Sequence, residues 1–128
     1  MPKESLFRNI FSARGFMKSL KIAIGGITYL FLFHRNMRII FLLGICAFLF
    51  GAYFKLRGIE LAILCITITL VFMAEIFNTA IEMMIDMFTD KFHIKIKLVK
   101  DIAAGVVVLA CLNALAVGYA LFAKRILR

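Results

Sequence analysis

Three long apolar segments constrain this 128-residue chain more than any other feature of its sequence. They cover about residues 36–54, 59–87 and 101–123, and a helix needs roughly 20 apolar residues to cross a bilayer. Hydrophobic residues make up 64% of the chain and charged residues 18%, whereas soluble domains are roughly half apolar and about a quarter charged. The sequence therefore predicts an all-α membrane protein, organised as a single domain over residues 1–128.

The segment that precedes these runs, residues 3–34, has a mixed character. Apolar residues recur in it at three- and four-residue steps, and basic residues fall between them. This pattern predicts an amphipathic helix on the membrane surface, broken near residues 13–15 and weakened at Gly25-Gly26. A cytosolic helix packed on the membrane bundle is the alternative. We expect three transmembrane helices preceded by this surface helix.

The charge distribution predicts both the environment and the orientation of the chain. Sixteen Lys and Arg against seven Asp and Glu give a net charge of +9, which in a soluble protein would suggest nucleic acid. Here the basic residues flank apolar blocks, which favours anionic lipid and no nucleic acid. Eleven basic residues precede Ile39 or lie between the second and third predicted spans, against five on the other side. We expect a multi-pass cell-membrane protein with a cytoplasmic N-terminus.

Polar side chains interrupt the second apolar run at regular intervals. Glu75, Asn78, Glu82 and Asp86 follow one another at steps of three, four and four residues, which places them on one face of a helix. Carboxylates within a membrane span are costly unless they are paired, hydrated or metal-bound. This line of side chains is therefore a candidate functional site.

Three kinds of function fit these residue types. Carboxylates can hold Mg²⁺ and accept a proton from a lipid hydroxyl, while the lysines that follow can neutralise a polyphosphate, which favours phosphoryl transfer at the membrane surface. Polar residues within spans also hold helices together. Proton and cation pathways use the same side chains. Residue types alone leave the three open.

Two motifs resemble a known family. The run EIFNTAIEMMID at 75–86 and the run KDIAAG at 100–105 are similar to the motifs of the small prokaryotic diacylglycerol kinase and undecaprenol kinase family. A weaker similarity extends upstream through Arg14, Lys18 and residues 35–39. The resemblance implies a homotrimeric helical bundle that transfers the γ-phosphate of ATP to a membrane-embedded alcohol, with Mg²⁺ as cofactor and with active sites shared between protomers.

The resemblance also implies roles for the polar residues of the second run. Glu75 corresponds to the proposed general base, and Asn78 to a residue that positions the reacting groups. Glu82 corresponds to a ligand of the Mg²⁺ that bridges the nucleotide phosphates.

The remaining nucleotide contacts come from either side of that run. By resemblance, Lys100 contacts the phosphates and Asp101 the adenine moiety, while Arg14 and Lys18 approach the nucleotide from the surface helix. Two alternatives remain. Asp101 could cap the N-terminus of the third span, where a carboxylate is favourable, and Arg14 and Lys18 could hold lipid headgroups.

One position departs from the family pattern. The family places a second metal-binding glutamate shortly before the first span, and this chain has His34 there, with no acidic residue between Glu4 and Glu60. Imidazole is a poor ligand for a hard cation such as Mg²⁺. We therefore expect weaker metal binding, a shift towards Mn²⁺, or a catalytically impaired protein with a structural or accessory role.

The same motifs bear on the lipid substrate. NTAIE and KDIAAG resemble the undecaprenol kinase branch of the family, which favours undecaprenol. Diacylglycerol, which would give phosphatidic acid, is the alternative substrate.

Overall fold

The computed structural model describes residues 13–88 and 94–127, which fold into α-helices. The helices are α1 (Ala13–Phe33), α2 (Arg35–Tyr53), α3 (Ile59–Phe88) and α4 (Ile94–Ile126). The chain divides into two units, one up to Arg35 and one from Asn36 onward. All four helices are long and apolar enough to cross a membrane, so the predicted all-α class is confirmed with four candidate spans rather than three.

Helix α1 lies within residues 3–34, the segment predicted to form a surface helix. It runs without interruption from Ala13 to Phe33, so the weak point expected at Gly25-Gly26 does not break the helix. Two glycines cost about 2 kcal/mol of helix propensity relative to alanine, which a 21-residue helix with apolar neighbours on both sides can absorb. The break expected near residues 13–15 falls where the described residues begin, and residues 3–12 lie outside them.

Helices α2 and α3 are joined by a tight turn. The Leu56 amide donates to the Gly51 carbonyl at 2.9 Å and the Lys55 amide to the Ala52 carbonyl at 3.1 Å, which is the Schellman pattern of helix termination. Lys55 adopts a φ of 58°, the left-handed conformation that this pattern requires. Leu56 is buried against the end of α2. Gly58, with a φ of 64°, then leads the chain into α3.

Helix α2 approaches α3 closely at two glycines. A Cβ atom on Gly51 would lie 2.6 Å from Cδ2 of Leu64, and one on Gly44 would lie 3.1 Å from Cγ2 of Ile68. The ring of Phe41 meets that of Phe72 edge-on at 5.7 Å between centroids. The small residues of α2 therefore set its separation from α3.

Helices α3 and α4 form an antiparallel pair. At one end, Lys100 of α4 contacts Asp86 near the end of α3; at the other, Arg125 of α4 contacts Glu60 at the start of α3. Helix α4 covers the predicted span 101–123 but begins earlier, at Ile94. This first part carries several basic residues and is continuous with the apolar part of the helix.

Few side chains are buried within the described residues. The buried apolar residues are Met37, Leu56, Leu64, Ala74 and Ala103, and the buried polar residues are Thr67, Glu75 and Thr79. Many large apolar side chains on all the helices are exposed instead. A surface of this kind is stable only where lipid or another protein surface covers it.

Candidate active site

The acidic stripe, defined as Glu75, Asn78, Glu82 and Asp86 of α3, changes in exposure along its length. Glu75 is 5% exposed and Asn78 is half-buried, whereas Glu82 and Asp86 are exposed. The predicted helical face is confirmed, because all four residues lie within one uninterrupted helix at three- and four-residue steps. The stripe therefore leads from a carboxyl group inside the bundle to carboxylates at its surface.

Asn78 carries an unusual feature for a residue inside a helical bundle. Its Oδ1 atom is buried and has no hydrogen-bond partner within the described part of the chain. Leaving a buried amide oxygen without a partner costs about 1–3 kcal/mol, so such groups are normally satisfied by protein, water or ligand. Asn78 therefore offers a vacant hydrogen-bond acceptor one turn from Glu75.

An apolar groove runs between α3 and α4 beside this part of the stripe. Its volume is about 420 Å³, and Ala74 and Phe77, which flank Glu75 and Asn78 in sequence, belong to its wall. Leu70, Met73 and Val106 extend the wall further along the two helices. Glu75 and Asn78 do not line this groove, whose one polar side chain is Asn113.

The cationic end of the site is built across the α3–α4 hairpin. Nζ of Lys100 donates to Oδ1 of Asp86 at 3.2 Å, and the two residues are fourteen positions apart in the chain. The structure thus brings Lys100 to the exposed end of the acidic stripe. This contact could not be read from the sequence, because it depends on how α4 is rotated relative to α3.

Asp101 forms a separate pair on α4. Its Oδ2 accepts a hydrogen bond from Nζ of Lys97 at 2.8 Å, and both side chains are largely exposed. Because α4 begins at Ile94, Asp101 lies inside the helix, and the capping role considered for it is wrong. Its carboxylate is held within one turn of the helix and remains accessible from solvent.

The other predicted residues belong to the unit that contains α1. Arg14 and Lys18 are exposed and four residues apart, so they share one face of α1. His34 lies between α1 and α2, and its backbone amide donates to the Leu30 carbonyl at 2.9 Å. Its ring lies 6.4 Å from that of Tyr29, edge to face.

Within residues 13–88 and 94–127, no group of three or more His, Cys, Asp or Glu side chains is placed to hold a metal ion. Mg²⁺ does not require such a cage, because it is commonly bound by one or two carboxylates together with substrate phosphates and water. Exposed Glu82 meets that description. His34 supplies nitrogen, which suits Mg²⁺ poorly.

Sequence reasoning missed one polar cluster at the opposite end of the bundle. Nη2 of Arg125 lies 2.6 Å from Oε2 of Glu60, and Nη1 of the same guanidinium donates to the Phe54 carbonyl. The cluster ties the end of α4 to the α2–α3 turn. The only signal in the sequence is a lone acidic residue at the start of an apolar run and a basic residue at the end of another.

Comparisons with known proteins agree with the motifs. The family model for prokaryotic diacylglycerol kinase matches residues 21–122. A diacylglycerol kinase from Synechocystis is 34% identical over 118 residues, which cover 91% of this chain and 67% of that protein. An undecaprenol kinase from Bacillus subtilis is 37% identical over 82 residues, which cover 64% of this chain and 63% of that protein. The matches thus span about two thirds of the length of each relative.

Proposed function

Because this chain belongs to the prokaryotic diacylglycerol kinase family, we propose that it is a lipid kinase that transfers the γ-phosphate of ATP to the hydroxyl of a membrane lipid. The observation that carries the proposal is the gradient along the acidic stripe, from buried Glu75 to exposed Glu82 and Asp86. A lipid hydroxyl approaches such a site from the apolar side and a nucleotide from the aqueous side. The two substrates would meet near Asn78.

In the proposed reaction, Glu75 acts as the general base. Its carboxylate takes the proton of the lipid hydroxyl while that oxygen forms a bond to the γ-phosphorus, and the bond from this phosphorus to the β,γ-bridging oxygen breaks to release ADP. The Asn78 side chain would orient the hydroxyl by donating a hydrogen bond from Nδ2 to the hydroxyl oxygen, because the one hydroxyl proton goes to Glu75. Orientation of this kind is a large part of what a phosphotransferase contributes.

The nucleotide would occupy the exposed end of the stripe. Glu82 would hold Mg²⁺, which when bound neutralises charge on the β- and γ-phosphates. Lys100 would contact the phosphates, and Asp101 the adenine amino group. Arg14 and Lys18 would approach the nucleotide from α1, and His34 would stand where a second metal-binding carboxylate is expected.

The proposed architecture keeps α1 on the membrane surface and α2, α3 and α4 across the bilayer. Charge supports this choice, because α1 carries Arg14, Lys18 and Lys21 within its first three turns, whereas α3 carries no charge over its first four turns apart from Glu60. The excess of basic residues favours a cytoplasmic N-terminus. A homotrimer, with sites completed between protomers, would cover exposed apolar surface.

We propose undecaprenol as the preferred acceptor, because the NTAIE and KDIAAG motifs resemble the undecaprenol kinase branch. Diacylglycerol is the alternative. Both lipids present a primary hydroxyl at the interface, so the stripe serves either. Discrimination between the two lipids would come from apolar side chains along the α3–α4 groove rather than from the polar residues of the stripe.

The test is transfer of labelled γ-phosphate from ATP by the purified protein in mixed micelles. Undecaprenol and diacylglycerol are offered separately, each with Mg²⁺ and with Mn²⁺. We expect faster transfer to undecaprenol than to diacylglycerol. We also expect faster transfer with Mn²⁺ than with Mg²⁺, because His34 stands where a carboxylate ligand is expected. Preferential labelling of diacylglycerol would replace the substrate assignment. An assembled protein that labels neither lipid with either metal would instead be an accessory protein in which His34 has removed activity.

A further inference from the structure

We propose that Asp86 is a positioning residue, which holds the Lys100 ammonium group one helical turn beyond Glu82. The ammonium group and a metal held at Glu82 can then engage the same polyphosphate. This inference rests on the proposed function. It is carried by the 3.2 Å contact between Lys100 Nζ and Asp86 Oδ1, which joins the end of α3 to the start of α4.

The spacing along α3 gives the contact its meaning. Glu82 and Asp86 are four residues apart, so they lie on the same face of the helix, about 6 Å apart along its axis. Both carboxylates are exposed. A cation held at Asp86 is therefore one turn away from a metal held at Glu82, a separation that neighbouring phosphate groups of a nucleotide can bridge.

Lys100 needs such a partner because its side chain is long and partly solvent-exposed. The exposed fraction of that side chain is 41%, against 69% for Asp86. Without a partner, a lysine in this setting samples many rotamers, and ordering it on substrate binding is entropically unfavourable. Asp86 restricts Lys100 before the nucleotide arrives, while the exposure of the pair leaves the ammonium group reachable by phosphate.

A neighbouring ion pair occupies two other charged residues near Lys100. Lys97 and Asp101 satisfy each other at 2.8 Å within α4. Asp86 is thus the carboxylate that pairs with Lys100 across the α3–α4 hairpin. Its effect on the nucleotide is expected to pass through Lys100 alone.

A double-mutant cycle tests this. The affinity of the protein for a fluorescent ATP analogue, with Mg²⁺ present, is measured for Asp86→Asn, Lys100→Met and the double variant, and kcat and KM for ATP are measured for the single Asp86 variants. Asp86→Asn should weaken binding about fivefold, the size expected for a surface ion pair. In the Lys100→Met background the same substitution should change affinity by less than about twofold, because the group it positions is gone.

Two further variants complete the design. Asp86→Glu keeps the charge and should recover most of the affinity. Glu60→Gln removes a second interhelical ion pair, with Arg125 at the far end of the α3–α4 pair, and should leave the affinity unchanged. An equal loss from Asp86→Asn with and without Lys100, or no loss at all, overturns the positioning role. A parent protein that binds the nucleotide poorly and transfers no phosphate overturns the proposed function instead, and this role with it.

Discussion

At the residue scale, the chemistry of the site depends on a few polar atoms whose placement differs sharply. Glu75 is buried and Glu82 is exposed, although both are glutamates on one face of α3. The first is thereby suited to a proton transfer shielded from water, and the second to a hydrated cation. In the proposed mechanism one residue type would thus serve two different tasks, because α3 runs from the interior of the bundle to its surface.

His34 gives a prediction at this scale. Replacing it by glutamate supplies an oxygen ligand where the family places one, so His34→Glu should lower the Mg²⁺ concentration that gives half-maximal phosphate transfer by about tenfold. The measurement is a Mg²⁺ titration of the lipid kinase assay at fixed ATP.

His34→Gln is the matched control, because it removes the imidazole without adding a carboxylate. It should leave the Mg²⁺ requirement close to that of the parent. If His34→Glu and His34→Gln have the same requirement, position 34 does not contact the metal.

At the element scale, the sequence predicted helices better than it predicted their ends and their partners. Apolar runs located α2 and α3 closely, since α2 ends just before the polar turn at residues 55–58 and α3 begins directly after it. The start of α4 was missed because Lys95, Lys97 and Lys100 are unfavourable in lipid but are good helix formers. Hydropathy reports where a helix can enter a bilayer, and this differs from where the helix begins.

The α2–α3 turn gives a second prediction. Lys55 holds the left-handed conformation that ends α2, which costs an L-residue with a side chain about 1 kcal/mol relative to glycine. Lys55→Gly should therefore raise the free energy of unfolding by about that amount. Unfolding of the purified protein in mixed micelles, by titration with a denaturing detergent, measures it.

Lys55→Ala controls for loss of the lysine charge and chain, and it keeps the conformational strain. Its stability should stay near that of the parent. A gain for the alanine variant that equals the gain for the glycine variant would attribute the effect to the lysine side chain rather than to the backbone.

At the scale of the whole molecule, the two ends of the α3–α4 pair are built differently. One end has the exposed Lys100–Asp86 contact and the acidic stripe; the other has the more enclosed contacts of Arg125 with Glu60 and with the Phe54 carbonyl. The second set joins the end of α4 to the α2–α3 turn and to the start of α3, at the opposite end of α3 from the acidic stripe. The bundle therefore has an anchored end and an accessible end, and the proposed nucleotide site lies at the accessible one.

The site was predictable from sequence as a line of residues and not as a set of contacts. Spacing alone placed Glu75, Asn78, Glu82 and Asp86 on one face, and the family motifs added Lys100 and Asp101. The burial of Glu75, the vacant oxygen of Asn78 and the pairing of Lys100 with Asp86 depend on how α3 and α4 pack. Helical periodicity fixes the face of a helix but leaves open which neighbour covers it.

The most direct test of the central claim is the rate of phosphate transfer by Glu75→Gln, measured beside the affinity for the fluorescent ATP analogue. Glutamine preserves the size of the side chain and removes its ability to take a proton. We predict that transfer to lipid falls about 10²- to 10⁴-fold while nucleotide affinity is unchanged, because Glu75 serves the lipid hydroxyl and not the nucleotide. Transfer that stays within about tenfold of the parent rate would contradict the account, since no general base would then act at position 75.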